Sequence, residues 1–130
     1  MQAQMSFLSR YQEIRKEPEK LLPGSSCALV VGLAYYQGRD NPKASKIAQY
    51  AKLKDYHKTL RRKLQHLTQR LAESCGPNFQ ARACIDSAPL LERALAEKVT
   101  RGFIGKNTLF IHPDKGSYFL LAELLCNLQI

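Results

Sequence analysis

Asp86 closes the apolar stretch Phe79–Ile85 and stands beside Ser87, where a strand candidate hands over to a helix. In open α/β sheets, ligands collect beyond the carboxyl ends of the strands, so an acid at that point is placed to meet one. Covered by a ligand face, its carboxyl would lose water, hold its proton more tightly and be able to donate it. The alternative is that Asp86 helps to cap the helix that follows. Asp55-Tyr56-His57 lies in a basic segment, with His57 on the apolar side of a helical repeat. That position suits a satisfied, partly buried histidine better than a catalytic one. Gly102-Phe-Ile-Gly105-Lys106-Asn107 has too few residues between its glycines for a Walker loop, and asparagine follows its lysine. A tight turn that delivers Lys106 and Asn107 to a site remains open. The other histidines are His66 and His112, and Cys27, Cys75, Cys84 and Cys126 form no CxxC pair, so no metal centre is expected from these residues.

Charge is the strongest signal in the composition. Twenty Lys and Arg against eleven Asp and Glu give a formal net charge of +9. Between Arg39 and Arg70 there are ten basic residues and two acidic ones, so this window carries +8 of the total. Leu53, His57, Leu60, Leu64, Leu67 and Leu71 recur at spacings of three and four, which puts them on one helix face. Lys54, Lys58, Arg61 and Arg62 form a second stripe beside it. A cationic stripe of this density favours phosphate contacts over a merely solvated face. Few aromatics interleave with it, which gives little support to base stacking.

These residues need a scaffold. A chain of 130 residues, 45% of them hydrophobic, suffices for one domain with a core, spanning 1–130. The composition excludes disorder, collagen-like repeats and a disulfide scaffold. The apolar run Cys27–Tyr36 is about half of what a membrane span needs, and no secretory signal opens the chain, so a cytoplasmic protein is expected. Met1–Pro23 reads as a helix ending at Leu21-Leu22-Pro23-Gly24, and Cys27–Tyr35 as a strand buried on both faces. Gln37–Pro42 reads as a loop, and Ala44–Ser74 as one long helix or two in series, stopped by Gly76-Pro77. Phe79–Ile85 is a second strand. Ser87 is the expected N-cap of a helix that has Pro89 in its first turn and runs to about Val99. Asn107–His112 is a third strand, and Ser117–Leu128 a strand or a helix. The alternation argues for an α/β fold, a small sheet with helices packed on it. Cys27 and Cys84 sit in apolar runs as small core hydrophobes. The chain stops at Ile130 directly after an apolar segment, which reads as a fragment of a larger protein.

Cys84-Ile-Asp-Ser-Ala-Pro-Leu-Leu-Glu-Arg-Ala-Leu-Ala-Glu-Lys98 resembles the D-S/T-x-P-x-x-E/D-R-x-x-A-E-K/R segment of epoxyqueuosine reductases. Gly105-Lys-Asn107 and Gly116-Ser-Tyr118 follow at that family's spacing. Pro18–Gly24, and Gly38-Arg-Asp with the later Asp55-Tyr-His57, resemble its earlier regions. The resemblance implies a partial chain, similar to the cobalamin-binding catalytic half of an oxidoreductase that reduces epoxyqueuosine to queuosine in the anticodon region of tRNA. It implies Asp86 as the proton donor and cobalamin as the cofactor. Tyr56, His57, Asp86, Lys106, Asn107, Phe110, Ser117, Tyr118 and Leu121 would border the corrin, and Lys54, Lys58, Arg61 and Arg62 would meet tRNA phosphates. The family also carries two [4Fe-4S] clusters, for which this chain has no resembling cysteine run. Two alternatives stand beside it: a related corrinoid reductase of another substrate, or a non-catalytic nucleic-acid- or corrinoid-binding remnant.

Overall fold

The computed structural model describes residues 11–36, 48–52, 55–86 and 88–129. Three strands form the main sheet: β1 (Cys27–Ala34), β2 (Ala81–Cys84) and β5 (Phe119–Cys126), in the order β1-β5-β2. Both outer strands run antiparallel to β5, with Cys27 opposite Cys126, Ala34 opposite Phe119 and Cys84 opposite Glu123. β1 and β2 therefore point the same way, joined by the long helix α2 (Tyr56–Cys75), with β5 inserted between them. A short hairpin pairs β3 (Phe103–Ile104) with β4 (Phe110–Ile111). Helix α3 (Glu92–Val99) links β2 to that hairpin. The α/β fold with helices packed on a small sheet is what the alternation implied.

Side chains alternate across β5, as strand geometry requires. Ala122 and Leu124 face α2 and join Leu60, Leu64 and Ile85 in one core cluster, with Leu29, Val31, Leu33, Leu67, Leu71 and Leu120 packed around it. Leu125 faces the other way and joins Leu21, Cys84 and Leu90 in a second cluster, with Ile14, Leu22 and Ala28 against it. Buried on both faces, β5 is the strand that the continuous apolar run Cys27–Tyr35 was expected to be. β1 lies instead at the sheet's edge among the described residues and is only half-buried. Two apolar runs look alike in sequence; which one becomes central depends on a pairing across ninety-odd residues. Cys84 is a core hydrophobe as expected, burial pushing its thiol up to about 11, whereas Cys27 is half-buried and the fully covered cysteine is Cys126.

Several boundaries move. The first segment is a five-residue helix, α1 (Gln12–Lys16), followed by a 3₁₀ turn at Pro18–Leu21. Residues 1–10 lie outside the described region, as do the expected loop Gln37–Pro42 and the segment 43–47. Helix α2 begins at Tyr56, after a 3₁₀ turn at Gln49–Lys52, because Asp55 stops anything earlier: its carboxylate accepts the His57 N–H at 3.2 Å, an N-cap. Gly76, at φ 85°, ends the helix as expected. Helix α3 starts at Glu92 rather than beside Ser87, which lies outside the described residues. Leu90 turns into the second core cluster first, with its N–H bonded to the Ala88 carbonyl, and that burial delays the helix. The expected strand Asn107–His112 shortens to Phe110–Ile111, because residues 105–109 form the hairpin's own turn.

Candidate active site

The site lies where β1 and β2 end and β5 begins; the antiparallel pairing means that this edge is not the common carboxyl end of a parallel sheet. Asp86 follows β2 in a left-handed conformation, φ 49°, one that branched side chains resist and aspartate tolerates. Its Oδ2 gathers two donors from the first turn of α2. The Tyr56 hydroxyl donates at 2.5 Å, and His57 Nε2 lies at 2.8 Å. The His57 Nδ1 faces Asp55 Oδ1 at 3.3 Å, so both ring nitrogens lie beside carboxylate oxygens. The Tyr56 and His57 rings stack, with centroids 4.0 Å apart. Hydrogen bonding to Asp86, reinforced by burial, pushes the Tyr56 hydroxyl up to about 12, so it stays a donor throughout the neutral range. The Asp86 side chain is 41% exposed, open to a ligand.

This geometry corrects the expectation for His57. The residue on the apolar face of α2 is Tyr56, which packs against the first core cluster, and His57 is turned out, 48% exposed, onto Asp86. Tyr56 continues the stripe of Leu60, Leu64, Leu67 and Leu71, and His57, one residue on and about 100° further round the helix, leaves it.

A pocket of about 240 Å³ opens beside Asp86, lined also by Glu92, Arg93, Leu109, Phe110, Ser117, Phe119, Leu120 and Leu121. Thus the structure brings together Asp86, Phe110, Ser117 and Leu121, with Tyr56 and His57 bonded to the first. Lys106 and Asn107 are exposed at the hairpin's tip and do not line it. Asn107 spends its side-chain oxygen on the Leu109 N–H at 3.2 Å. The hairpin is clamped to α3: Arg93 donates to the Thr108 carbonyl, and Glu97 accepts the Ile104 N–H at 3.0 Å. Tyr118 lies outside the pocket, stacked on Tyr36. Lys58, Arg61 and Arg62 project from the first two turns of α2 and are exposed; Lys54 lies outside the described residues.

Two carboxylates behind the site were not anticipated. Glu123 on β5 is fully buried, and neither of its oxygens has a hydrogen-bond partner among the described residues. Burial, then the charges of Glu92 and Asp86, push it up to about 8, so it is largely neutral at pH 7. Glu92 on α3 is raised as well, by burial and then by Asp86, and its Oε1 has no hydrogen-bond partner among the described residues. The clue was visible as one acid inside the apolar run Phe119–Cys126.

Comparison with known proteins places this geometry. The family model described as epoxyqueuosine reductase QueG, DUF1730, matches residues 15–87, more than half of the chain. The chain belongs to the epoxyqueuosine reductase family. An epoxyqueuosine reductase of Pseudomonas aeruginosa is 36% identical over 134 residues, covering 98% of this chain and 37% of the relative. Among solved structures, the epoxyqueuosine reductase of Bacillus subtilis, described with its catalytic aspartate loop swung out of the active site, superposes with a TM-score of 0.71. It is 31% identical, over 89% of this chain and 32% of that one. An epoxyqueuosine reductase with an epoxyqueuosine-modified tRNA-Tyr stem loop gives 0.68 at 29% identity, over 85% of this chain and 31% of that one. The chain thus spans little more than a third of the length of the curated relative. No helix among the described residues is long and apolar enough to cross a membrane.

The family implies cobalamin, and the residues present fit part of such a group. Phe110, Phe119, Leu120 and Leu121 give an apolar wall, with Ser117 and Asp86 as polar points on it. The pocket falls below the roughly 300–1,000 Å³ of sites that enclose small molecules. It would therefore take an edge of the corrin rather than surround it.

Proposed function

We propose that this chain is the corrinoid-binding, acid-bearing portion of an enzyme that reduces epoxyqueuosine in tRNA to queuosine, with Asp86 as proton donor. The observation that carries this reading is Asp86, held by Tyr56 and His57 at the mouth of the pocket formed by Phe110, Ser117 and Leu121. Opening the epoxide to the alkene consumes two electrons and two protons and releases the oxygen as water. Bound cobalamin supplies the reducing chemistry. Asp86 gives its carboxyl proton to the departing oxygen. Tyr56 and His57 fix the acid's orientation through Oδ2. Phe110, Phe119 and Leu121 keep water from the reacting face, and Ser117 borders the cofactor, while Tyr118, Lys106 and Asn107 lie outside that pocket. Exposed Lys58, Arg61 and Arg62 meet tRNA phosphates, with Lys54 preceding them in the same stripe. The two iron–sulfur clusters belong to the part of the relatives' length that this chain does not span, and the protein works in the cytoplasm, where its tRNA is.

Two relatives support this: one is seen with an epoxyqueuosine-modified tRNA stem loop, another with an aspartate-bearing catalytic loop swung out of its active site. The test is an anaerobic titration of the chain with cob(II)alamin, followed by absorbance, with Asp86→Asn alongside. We expect saturable binding with a spectral shift in both, and loss of epoxyqueuosine reduction when Asp86→Asn is placed in the full-length protein. Absence of binding at high micromolar corrinoid would show that these residues do not form a corrin site, and turnover by the variant would remove Asp86 as the acid.

A further inference from the structure

Three tyrosines are exposed around the site: Tyr36 at 47%, Tyr50 at 51% and Tyr118 at 42%. They are distant in sequence and close in space. Tyr35 and Tyr36 follow the end of β1, and Tyr118 precedes β5, with the Tyr35 N–H bonded to the Tyr118 carbonyl at 3.0 Å. The rings of Tyr36 and Tyr118 stack at 5.0 Å and 27°, and Tyr35 buttresses Tyr118 edge-on at 5.5 Å. Tyr50 adds to the rise of the Tyr35 hydroxyl, behind burial and Tyr118, and Ser117 and Phe119, on either side of Tyr118, line the pocket beside Asp86. None of Tyr36, Tyr50 or Tyr118 lines the pocket beside Asp86, so the patch is a second surface. Exposing this much ring area has a cost in water that a binding partner can repay.

We propose that Tyr36 and Tyr118, with Tyr50 beside them, form a stacking platform for an unpaired RNA base presented next to Asp86. The proposal rests on the tRNA reading above and deepens it. Charge complementarity names the occupant: the adjoining turns of α2 present Lys58, Arg61 and Arg62 to solvent, suited to a phosphate backbone. An unpaired base offers a free π-face to a tyrosine, whereas a base inside a duplex has both faces already stacked. The phenol hydroxyls at the rim can meet base edges. The platform was invisible in sequence because Tyr36 and Tyr118 lie outside the basic stripe; the sheet register gathers them.

The test uses the chain itself, whose lack of tryptophan leaves tyrosine as its emitter. Binding of a stem–loop RNA and of a blunt duplex of equal length is followed by tyrosine quenching and by electrophoretic mobility. We expect preference for the stem–loop. Tyr36→Leu and Tyr118→Leu should each weaken stem–loop binding about ten-fold and leave duplex binding unchanged. Tyr36→Phe, which still stacks, should retain it. Reversing Lys58, Arg61 and Arg62 to Glu should weaken both RNAs and flatten the salt dependence. Unchanged stem–loop affinity in the Leu variants, or equal loss for both RNAs, overturns the platform alone. Failure of the wild-type chain to bind either RNA overturns the tRNA reading with it.

Discussion

The two faces of β5 carry opposite chemistry. On one, Ala122 and Leu124 are sealed against Leu60 and Leu64 of α2, with no polar group among them. On the other, one residue out of phase, Leu121 lines the pocket and Glu123 sits fully buried near Glu92 and Asp86. One strand thus packs core on both faces, through Ala122 and Leu124 on one and Leu125 on the other, and the second face alone carries a buried carboxyl. The difference is instructive because burial is similar on both faces. What separates them is that carboxyls on the second face lack partners, and unsatisfied buried acids tend to mark function rather than stability.

Truncating the apolar face should give the largest effect. Leu124→Ala removes a side chain with no exposure from the centre of the cluster, and about 2–5 kcal/mol of stability should be lost. Urea denaturation measures it, and the pH dependence of stability should be unchanged, since no titrating group is touched. Glu123→Gln should do the reverse. Below about pH 4.5 Glu123 is neutral whether folded or unfolded and exacts nothing. Between 4.5 and about 8 the unfolded chain releases the proton while the folded one keeps it, so wild-type stability falls as pH rises. At about 1.4 kcal/mol for each pH step of one across that window, the accumulated loss is a few kcal/mol. The Gln variant lacks this loss, so its advantage should grow across that window and level off above it. Parallel stability curves for wild type and variant would mean that Glu123 is satisfied or ionised, and that the two faces are alike.

Much of this division is legible in the sequence and part is not. The apolar stripe of α2 appears at its true spacing, since Leu60, Leu64, Leu67 and Leu71 all pack on the sheet. Asp86 stands out because the end of a strand is a local signal. His57 differs from its expected place because, in the first turn, spacings of three and of four both reach Leu60, and the structure fills the apolar position with Tyr56 and turns His57 onto Asp86. β1 and β5 exchange roles because centrality is a matter of long-range pairing. The pairing of Tyr36 with Tyr118 depends on the same register and cannot be read from residues 82 positions apart.

The finest probe of the comparison lies where the two faces meet, at Tyr56. Its ring belongs to the apolar cluster, while its hydroxyl reaches Asp86 at 2.5 Å. Tyr56→Phe keeps the first role and deletes the second, so packing should survive and only a hydrogen bond be lost. Because both partners are partly exposed, water can replace the hydroxyl, and the loss should be near 1 kcal/mol rather than the larger figure for a buried charged pair. The wild-type hydroxyl is raised from 10 to about 12, so this increment is fully present below pH 10 and fades as pH rises towards 12. Urea midpoints for the two proteins should therefore differ at neutral pH and converge on the alkaline side. A loss of several kcal/mol would mean that Asp86 is anchored chiefly by Tyr56 and organises the fold, whereas no loss would leave His57 as the contact that positions the acid.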